Sequence, residues 1–369
     1  MASNKQVLIN ASNLHAGGGI QVASSFINEL MERSPSNVDF TLICSTKVMN
    51  NLNIKGLNFF KSVSEVNIYG IRRPEAKIRK LFEGYDCCFT IFGPTYFNIP
   101  AKKHYCGFAQ PWIAYKNNDV YPMLGLLEKI TNKLKFSYQE LIFRKYEKLI
   151  VEHESVKSAL LKNGFKNDIV VAHNSCSKVF SDSRTWEEIE DFNNSNCRFK
   201  VGFLGRAYRH KNLNILKEVN NILASEYSLE IDFLFSLSEA EMESCGFNDL
   251  SNFYSVGELK VTQCPSFYQI IDLLVFPSLL ECFSATPLES MKMKTPVLAS
   301  DRDFITQVYG DACVYFDPTS ADSIAKSIAT IVKDKALYQR MIIKGSEYID
   351  SSSTADMRTQ IYLNMITEN

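Results

Sequence analysis

The stretch Leu273-Leu-Val-Phe-Pro-Ser-Leu-Leu-Glu-Cys-Phe-Ser-Ala-Thr-Pro-Leu-Glu289 runs from an apolar segment through a turn into a helix. Its first part, Leu273-Leu-Val-Phe-Pro-Ser278, reads as a buried strand ending at Pro277, because proline has no N–H to give a ladder. Pro287 suits the first turn of a helix, where a missing N–H is no loss. Two carboxylates are thereby placed across one turn, Glu281 in the loop and Glu289 about one helical turn inside the helix. The open N–H groups of such a helix start favour an anion such as a diphosphate. Acids in a first turn also complement the helix dipole without any ligand, so the pair alone carries two readings.

Outward from this stretch the chain alternates strands and helices. Downstream, Glu289-Ser-Met-Lys-Met-Lys-Thr-Pro-Val-Leu-Ala-Ser300 continues as a short helix, a turn and a second apolar strand. Upstream, strands are expected at Phe199-Lys-Val-Gly-Phe-Leu-Gly205, Ile231-Asp-Phe-Leu-Phe235 and Phe253-Tyr-Ser-Val-Gly257. The first half repeats the pattern: Val7-Leu-Ile-Asn10, a helix over about 20–31, Phe40-Thr-Leu-Ile-Cys44, Cys87-Cys-Phe-Thr-Ile-Phe92, a long helix over 125–146 and a strand over 169–174. Such alternation is the mark of doubly wound α/β sheets. At 369 residues and 46% apolar content, the chain exceeds one ordinary core and suits two domains of roughly 170 to 190 residues. Polar residues 181–196, with Glu187, Glu188, Asn193, Asn194 and Asn196, read as the connection between them. A late helix over 336–349, a polar break at Ser351-Ser-Ser-Thr354 and a terminal helix close the chain.

Two further turns carry chemistry. Gly205-Arg-Ala-Tyr-Arg-His-Lys-Asn212 puts Arg206 and Lys211 in one loop after a strand. Two such cations neutralise a diphosphate as it leaves, although a basic loop at a strand end is also simply a solvated surface. His15-Ala-Gly-Gly-Gly-Ile20 follows the first strand and opens the first helix. It matches neither a Walker loop nor GxGxxG, and serves either phosphate contact or plain turn geometry. Phosphate-binding groups beside hydroxyl-binding carboxylates suggest a nucleotide sugar.

The run Phe276-Pro-Ser-Leu-Leu-Glu-Cys-Phe-Ser-Ala-Thr-Pro-Leu-Glu-Ser290, followed by Thr295-Pro-Val-Leu-Ala-Ser300, resembles the Glu-x7-Glu signature of retaining GT-B glycosyltransferases of glycosyltransferase family 4, of the bacterial surface-polysaccharide class. The Gly205–Asn212 loop, about 75 residues earlier, is similar to the family's Gly-Arg-x4-Lys-Asn element. The resemblance implies an α/β fold of two Rossmann-like doubly wound domains facing across a cleft. It places an acceptor-side domain at residues 1–178, with helix 352–369 packing back on it, and a nucleotide-sugar domain at 179–351. By this resemblance Glu281 reaches the transferred sugar and Glu289 holds the ribose hydroxyls, while Arg206 and Lys211 bind the diphosphate. The N–H groups of Ser284, Ala285 and Thr286 assist them, and Gly17, Gly18 and Gly19 face the donor phosphates and the acceptor. Tyr254-Ser-Val-Gly-Glu-Leu-Lys260, with Gly257 and Leu259, stands where the family holds the nucleobase by backbone contacts.

The sequence also departs from that family. Many members read Glu-Gly-Phe-Gly where this chain has Glu281-Cys-Phe-Ser284, so positions 282 and 284 must avoid conformations reserved for glycine. Many place a histidine beside the acceptor, where His104-Tyr-Cys-Gly-Phe-Ala-Gln-Pro-Trp112 offers Ala109 or Gln110. His15 and Gln110 are the acceptor-side candidates, and His104 is expected at the surface. No cofactor or metal is expected, because cations and helix dipoles replace a metal in this family. Asp301-Arg-Asp303 is then a solvated loop.

Charge and composition bear on partners. Residues 1–175 carry 22 Lys/Arg against 14 Asp/Glu, a net +8, and the remainder carries 18 against 27, a net −9. The first half is therefore the one suited to an anionic partner. Its basic segments are Arg72-Arg-Pro-Glu-Ala-Lys-Ile-Arg-Lys80 and residues 129–148, the latter mixing Lys129, Lys133, Lys135, Arg144 and Lys145 with Leu126, Leu127, Ile130, Leu134, Leu141 and Ile142. This composition fits an amphipathic helix on anionic lipid, or a core-facing helix with a solvated basic side. No apolar run approaches the roughly 18 residues of a membrane span, and with the polar start Met1-Ala-Ser-Asn-Lys-Gln6 no signal peptide is expected. A cytoplasmic protein at the inner face of the membrane is expected, its ten cysteines reduced. Its partners would be a UDP- or GDP-sugar and a glycan or lipid-linked glycan, with no nucleic acid. A sugar-nucleotide epimerase of the same fold and a non-catalytic nucleotide- or glycan-binding subunit are the competing readings.

Overall fold

The computed structural model describes residues 4–36, 38–189 and 198–368. Asn193, Asn194 and Asn196 of the expected connection lie outside the described residues. The chain divides into two compact units, one of residues 1–116, 124–177 and 353–369, the other of 117–123 and 178–352.

The first unit is built on seven strands: β1 (Lys5–Ala11), β2 (Val38–Cys44), β3 (Ser62–Glu65), β4 (Cys87–Thr90), β5 (Lys103–Gly107), β6 (Lys148–Val151) and β7 (Asp168–Val171). They are paired in the order β3-β2-β1-β4-β5-β6-β7, and every pairing is parallel. A central parallel strand is covered on both faces and reads as a continuous apolar run. In β1, Val7, Ile9 and Ala11 meet Phe26, Ile27 and Leu30 of helix Gly18–Arg33 on one face, while Leu8 meets Ile43, Phe82 and Cys88 on the other. The C-terminal helix Ala355–Thr367 supplies Tyr362, Leu363, Met365 and Ile366 to the first of these faces. Its buried Arg358 donates to Asn174 Oδ1 and Ser25 Oγ, both at 2.7 Å, and its Thr359 donates to Glu29 Oε2 at 2.7 Å. Those bonds give the buried polar groups the partners that burial demands.

The second unit has six strands: β8 (Lys200–Phe203), β9 (Asp232–Phe235), β10 (Phe253–Ser255), β11 (Leu273–Phe276), β12 (Val297–Ser300) and β13 (Val314–Phe316). Their order is β10-β9-β8-β11-β12-β13, again all parallel. Strand order reverses beside β8, where β9 pairs on one side and β11 on the other. Ligands of open α/β sheets bind at the carboxyl ends of strands flanking such a switch point. The two chemistry-bearing loops, after β8 and after β11, lie at that place.

Local chemistry explains where the elements start. The strand β11 stops at Pro277, and helix Thr286–Lys292 begins with Pro287 in its first turn. The helix after this loop starts at Ile215, because Arg209–Lys211 forms a 3-10 turn closed by Asn212 in the left-handed region at φ 57°. Asn212 Nδ2 donates to the Pro318 carbonyl at 2.7 Å and pins that turn. The segment 117–123 belongs with the second unit, held by Asp119 against Arg302 at 2.6 Å. Arg302 is thus an ion-pairing residue of the Asp301-Arg-Asp303 loop. The described cysteines are free thiols, and burial pushes Cys44 and Cys87 up to about 12. Among the described residues no helix is long and apolar enough to cross a membrane.

Candidate active site

In the second unit the structure joins Glu281 to Lys211. Lys211 leaves the 3-10 turn after β8, Glu281 leaves the loop after β11, and Lys211 Nζ lies 2.5 Å from Glu281 Oε1. The two side chains are only 13% and 12% exposed, so the pair is held with little solvent screening. Lys211 Nζ also sits 4.9 Å from the centre of the Phe276 ring. His210, beside it in the turn, brings Nε2 to 3.9 Å from the same Glu281 oxygen, stacks on Tyr208 and is held by burial below the usual imidazole range. An imidazole and a lysine side chain thus flank one carboxylate.

Arg206 is placed differently. Its guanidinium pairs with Glu241 at 3.0 Å and also with Glu258, two carboxylates that sequence reasoning did not single out. Glu241 is fixed by accepting from the Ala207 N–H at 2.9 Å and by the capping box it forms with Ser238. Gly205, at φ 150°, donates its N–H to Ser236 Oγ at 2.9 Å, and a side chain there would press on the Phe203 ring. Gly257 turns the chain after β10 at φ 74°, donating to Ser255 Oγ at 3.0 Å, with half-buried Leu259 two residues on.

Glu289 is buried, 5% exposed, and its Oε2 accepts from the Tyr268 hydroxyl at 3.0 Å. Burial pushes its carboxyl up to about 7 against the lowering effect of that hydrogen bond. Sequence reasoning missed Tyr268, whose helix lies about 20 residues upstream with no motif to mark it. The Ser284–Thr286 turn is braced from behind: the Ser284 carbonyl accepts from the Tyr309 hydroxyl at 2.6 Å, and Ser284 Oγ donates to Thr286 Oγ1 at 3.3 Å. Ala285 caps the helix. Neither Cys282 nor Ser284 has a positive φ, so the non-glycine residues sit there without backbone strain.

The raised Glu289 carboxyl gives a stability prediction. A proton stays on the folded carboxyl at pH values where the unfolded chain, with its usual 4.5, has lost it. The associated stability is full below pH 4.5, is lost as pH rises towards about 7, and changes little above that. Glu289→Gln is expected to flatten this slope, gaining on the order of 3 kcal/mol over wild type between pH 5 and pH 8 in urea unfolding. Equal slopes for the two proteins would contradict the burial.

In the first unit, Gly17 caps helix Gly18–Arg33 at φ 71°, and Gly17 and Gly18 have open space where side chains would stand. Gly19 is close-packed instead, since a Cβ there would lie 3.3 Å from Leu14. His15 and Gln110 line one cavity of about 200 Å³. His15 Nε2 is 2.8 Å from the Ile68 carbonyl, and its ring stacks on Tyr69 at 4.0 Å. His104, expected at the surface, is instead packed in the sheet. Its Nε2 lies 3.0 Å from Thr90 Oγ1, its ring meets the edge of Tyr146, and burial lowers it to about 4. It lies in β5 between two strands, a position the sequence near the strand start did not disclose.

Residues 184–348 match the family described as Glycosyl transferases group 1. That segment covers both Lys211 and Glu281. Among curated proteins, the O-antigen chain mannosyltransferase RfbU of Salmonella typhimurium is 26% identical over 136 residues, 35% of this chain and 37% of the relative. The chain therefore aligns with little more than a third of that relative's length. Among solved structures, Anabaena HepE in complex with UDP-glucose superposes with a TM-score of 0.68 at 13% identity, covering 98% of this chain and 99% of that one. The sucrose-phosphate synthase of Thermosynechococcus elongatus gives 0.65 at 14% identity, with 98% and 99% covered. A glycosyltransferase from Rickettsia africae gives 0.64 at 14%, with 99% and 98% covered. These likenesses extend over both units and show the fold: two parallel-sheet Rossmann-like domains with GT-B glycosyltransferases as structural neighbours.

Proposed function

We propose that the chain is a retaining glycosyltransferase that moves a sugar from a UDP- or GDP-sugar to a glycan acceptor, in the synthesis of a bacterial surface polysaccharide such as O-antigen or capsule. The observation that carries this reading is the half-buried Lys211–Glu281 pair, inside the segment that matches a glycosyltransferase group 1 domain. The O-antigen mannosyltransferase relative and the UDP-glucose complex of a structural neighbour support the donor and product classes.

In this reading Lys211 and Arg206 take the donor diphosphate, with the N–H groups of Ser284, Ala285 and Thr286 adding donors at the helix start. Arg206 exchanges its exposed partner Glu258 for phosphate while Glu241 keeps the guanidinium oriented. As charge builds on the leaving diphosphate, Lys211 is already half-buried and held in place by Glu281, so little reorganisation is needed. Glu281 shares Lys211 with the phosphate and turns its carboxylate to the transferred sugar. Glu289 takes the ribose hydroxyls, the turn at Gly257 and Leu259 takes the nucleobase through its backbone, and Gly17, Gly18 and Gly19 of the first unit face the acceptor. His15 and Gln110 belong to the acceptor side, and the acceptor is lipid-linked, reached by peripheral contact of the basic N-terminal unit with the inner face of an anionic membrane.

The cations of the site are side chains, so transfer is expected to survive EDTA. Loss on chelation with recovery on adding Mg²⁺ or Mn²⁺ would overturn metal independence. The donor class is tested by thermal unfolding against a panel of UDP- and GDP-sugars. A donor present at 100 times its Kd stabilises by about 2.7 kcal/mol and raises Tm measurably. A panel with no shift contradicts the reading.

A further inference from the structure

The two carboxyl oxygens of Glu289 have different surroundings. Oε2 is held at 3.0 Å by the hydroxyl of Tyr268, a residue only 1% exposed on helix Cys264–Ile270. Oε1 makes no hydrogen bond among the described residues and keeps contact with solvent. Tyr268 is itself fixed: its carbonyl accepts from Thr295 Oγ1 at 2.8 Å, and its ring packs on Phe180 and Phe267. Its hydroxyl also lies 3.2 Å from the Thr286 carbonyl. A phenol has one proton, and here the Glu289 carboxylate and the Thr286 carbonyl compete for it. Tyr268 therefore satisfies an ionised Glu289 only in part. A protonated carboxyl completes the set, because its O–H donates to Tyr268 Oη and the Tyr268 proton is left for Thr286.

Among the described residues no cation faces this carboxyl. The titratable groups that do are Tyr268 and Cys264, both on helix Cys264–Ile270. Strands β11 and β12, which pack on helix Thr286–Lys292, are Leu273-Leu-Val-Phe276 and Val297-Leu-Ala-Ser300 and carry no charge. Helix Lys335–Ser351 meets the same helix with Gly345 against Met291. Lys292, on the helix itself, is exposed. Burial without a facing cation is what lifts the carboxyl to about 7. The free protein thus holds a proton that a ligand can release. Two adjacent ribose hydroxyls supply what Oε1 lacks, because hydrogen bonds donated to a carboxylate favour its charged form.

We infer that Tyr268 is a positioning residue that holds Glu289 with Oε1 open, and that the ribose of a nucleotide-sugar donor ionises this carboxyl on binding, sending its proton to solvent. The inference rests on the assignment of Glu289 to the ribose proposed above and deepens it. On binding, the carboxyl O–H bond breaks, the ribose O–H groups donate to the carboxylate, and the proton passes through water to buffer. Donor and proton therefore compete for one carboxyl group. Below about pH 7 each donor must displace a proton, and above it the carboxylate is ready, so acid weakens donor binding.

Isothermal titration of the full chain with UDP-glucose and GDP-mannose tests it, since the diphosphate of a nucleotide sugar has no proton that titrates near neutral pH. Heats measured in buffers of different protonation enthalpy count the protons released. Wild type is expected to release about one proton per donor at pH 6 and almost none at pH 8.5, and to bind about ten-fold more weakly at pH 6 than at pH 8. Tyr268→Phe, shown by thermal unfolding to be folded, is expected to move the midpoint of that pH dependence upward, because the ionised carboxylate loses a charge-assisted hydrogen bond. A tyrosine that only packed the core would leave the midpoint in place. Glu289→Gln is expected to bind with neither proton release nor pH dependence. Donor bound by wild type at pH 6 without proton release overturns the inference, as does release that persists in Glu289→Gln or an unmoved midpoint in folded Tyr268→Phe. The wild-type proton count decides even where a variant fails to fold. Donor bound without proton release leaves the transferase reading standing, whereas no binding of any UDP- or GDP-sugar at pH 8 contradicts that reading itself.

Discussion

Glu281→Gln is expected to lower sugar transfer by about 10³-fold while leaving nucleotide affinity within a few-fold of wild type. Glutamine keeps the volume of the side chain and removes its charge. Glu281 stands 2.5 Å from a lysine that is itself half-buried, so its charge acts at short range with limited access to solvent. The groups assigned to the nucleotide, Glu289 and the Gly257 turn, belong to other parts of the unit and keep their own partners, Tyr268 and Ser255. Isothermal titration with UDP and GDP, set beside initial rates of transfer, separates the two effects. Equal losses in affinity and rate would move Glu281 from turnover to donor binding.

Lys211→Met is the second large effect, and it has two parts. Removing the ammonium leaves Glu281 as a half-buried carboxylate without its cation, which costs about 1–3 kcal/mol of stability. It also removes the charge proposed to meet the leaving diphosphate, worth about 10²–10³ in rate. The double variant Lys211→Met/Glu281→Leu isolates the parts, because it replaces a half-buried ion pair with apolar volume. Its stability is expected to return to within about 1–2 kcal/mol of wild type, while transfer stays at background. Urea unfolding and rate measurement on the three variants check this. A double variant that recovers transfer would show that the pair acts only in folding.

The fold was legible in the sequence wherever burial repeats a simple pattern. Parallel strands buried on both faces leave unbroken apolar runs, so Val7-Leu-Ile-Asn10 and Leu273-Leu-Val-Phe276 mark their sheets. Helix boundaries followed capping chemistry at Pro287 and Gly17. The turn at Arg209–Lys211 was harder, because a 3-10 turn closed by a left-handed asparagine has no period to read. The Lys211–Glu281 contact joins residues 70 positions apart through the parallel packing of β8 against β11, which only the sheet order reveals. The same holds for Tyr268 on Glu289 and for Glu241 and Glu258 on Arg206. His104 misled for a related reason: lysines precede it, yet its own strand is interior. The apolar residues of helix Leu126–Phe143 left two readings open in the sequence, and the structure shows that Phe136 and Phe143 face inward while the leucine stripe faces out.

The central claim is that the Lys211–Glu281 site splits a nucleotide sugar. Its most direct test is release of UDP or GDP from a panel of nucleotide sugars in the presence of EDTA, by wild type and by Glu281→Gln. The account predicts nucleoside diphosphate from at least one sugar donor with wild type, and a loss of about 10³-fold with the variant that still binds that donor. A wild-type protein that binds the donor but releases no more diphosphate than the variant would contradict it.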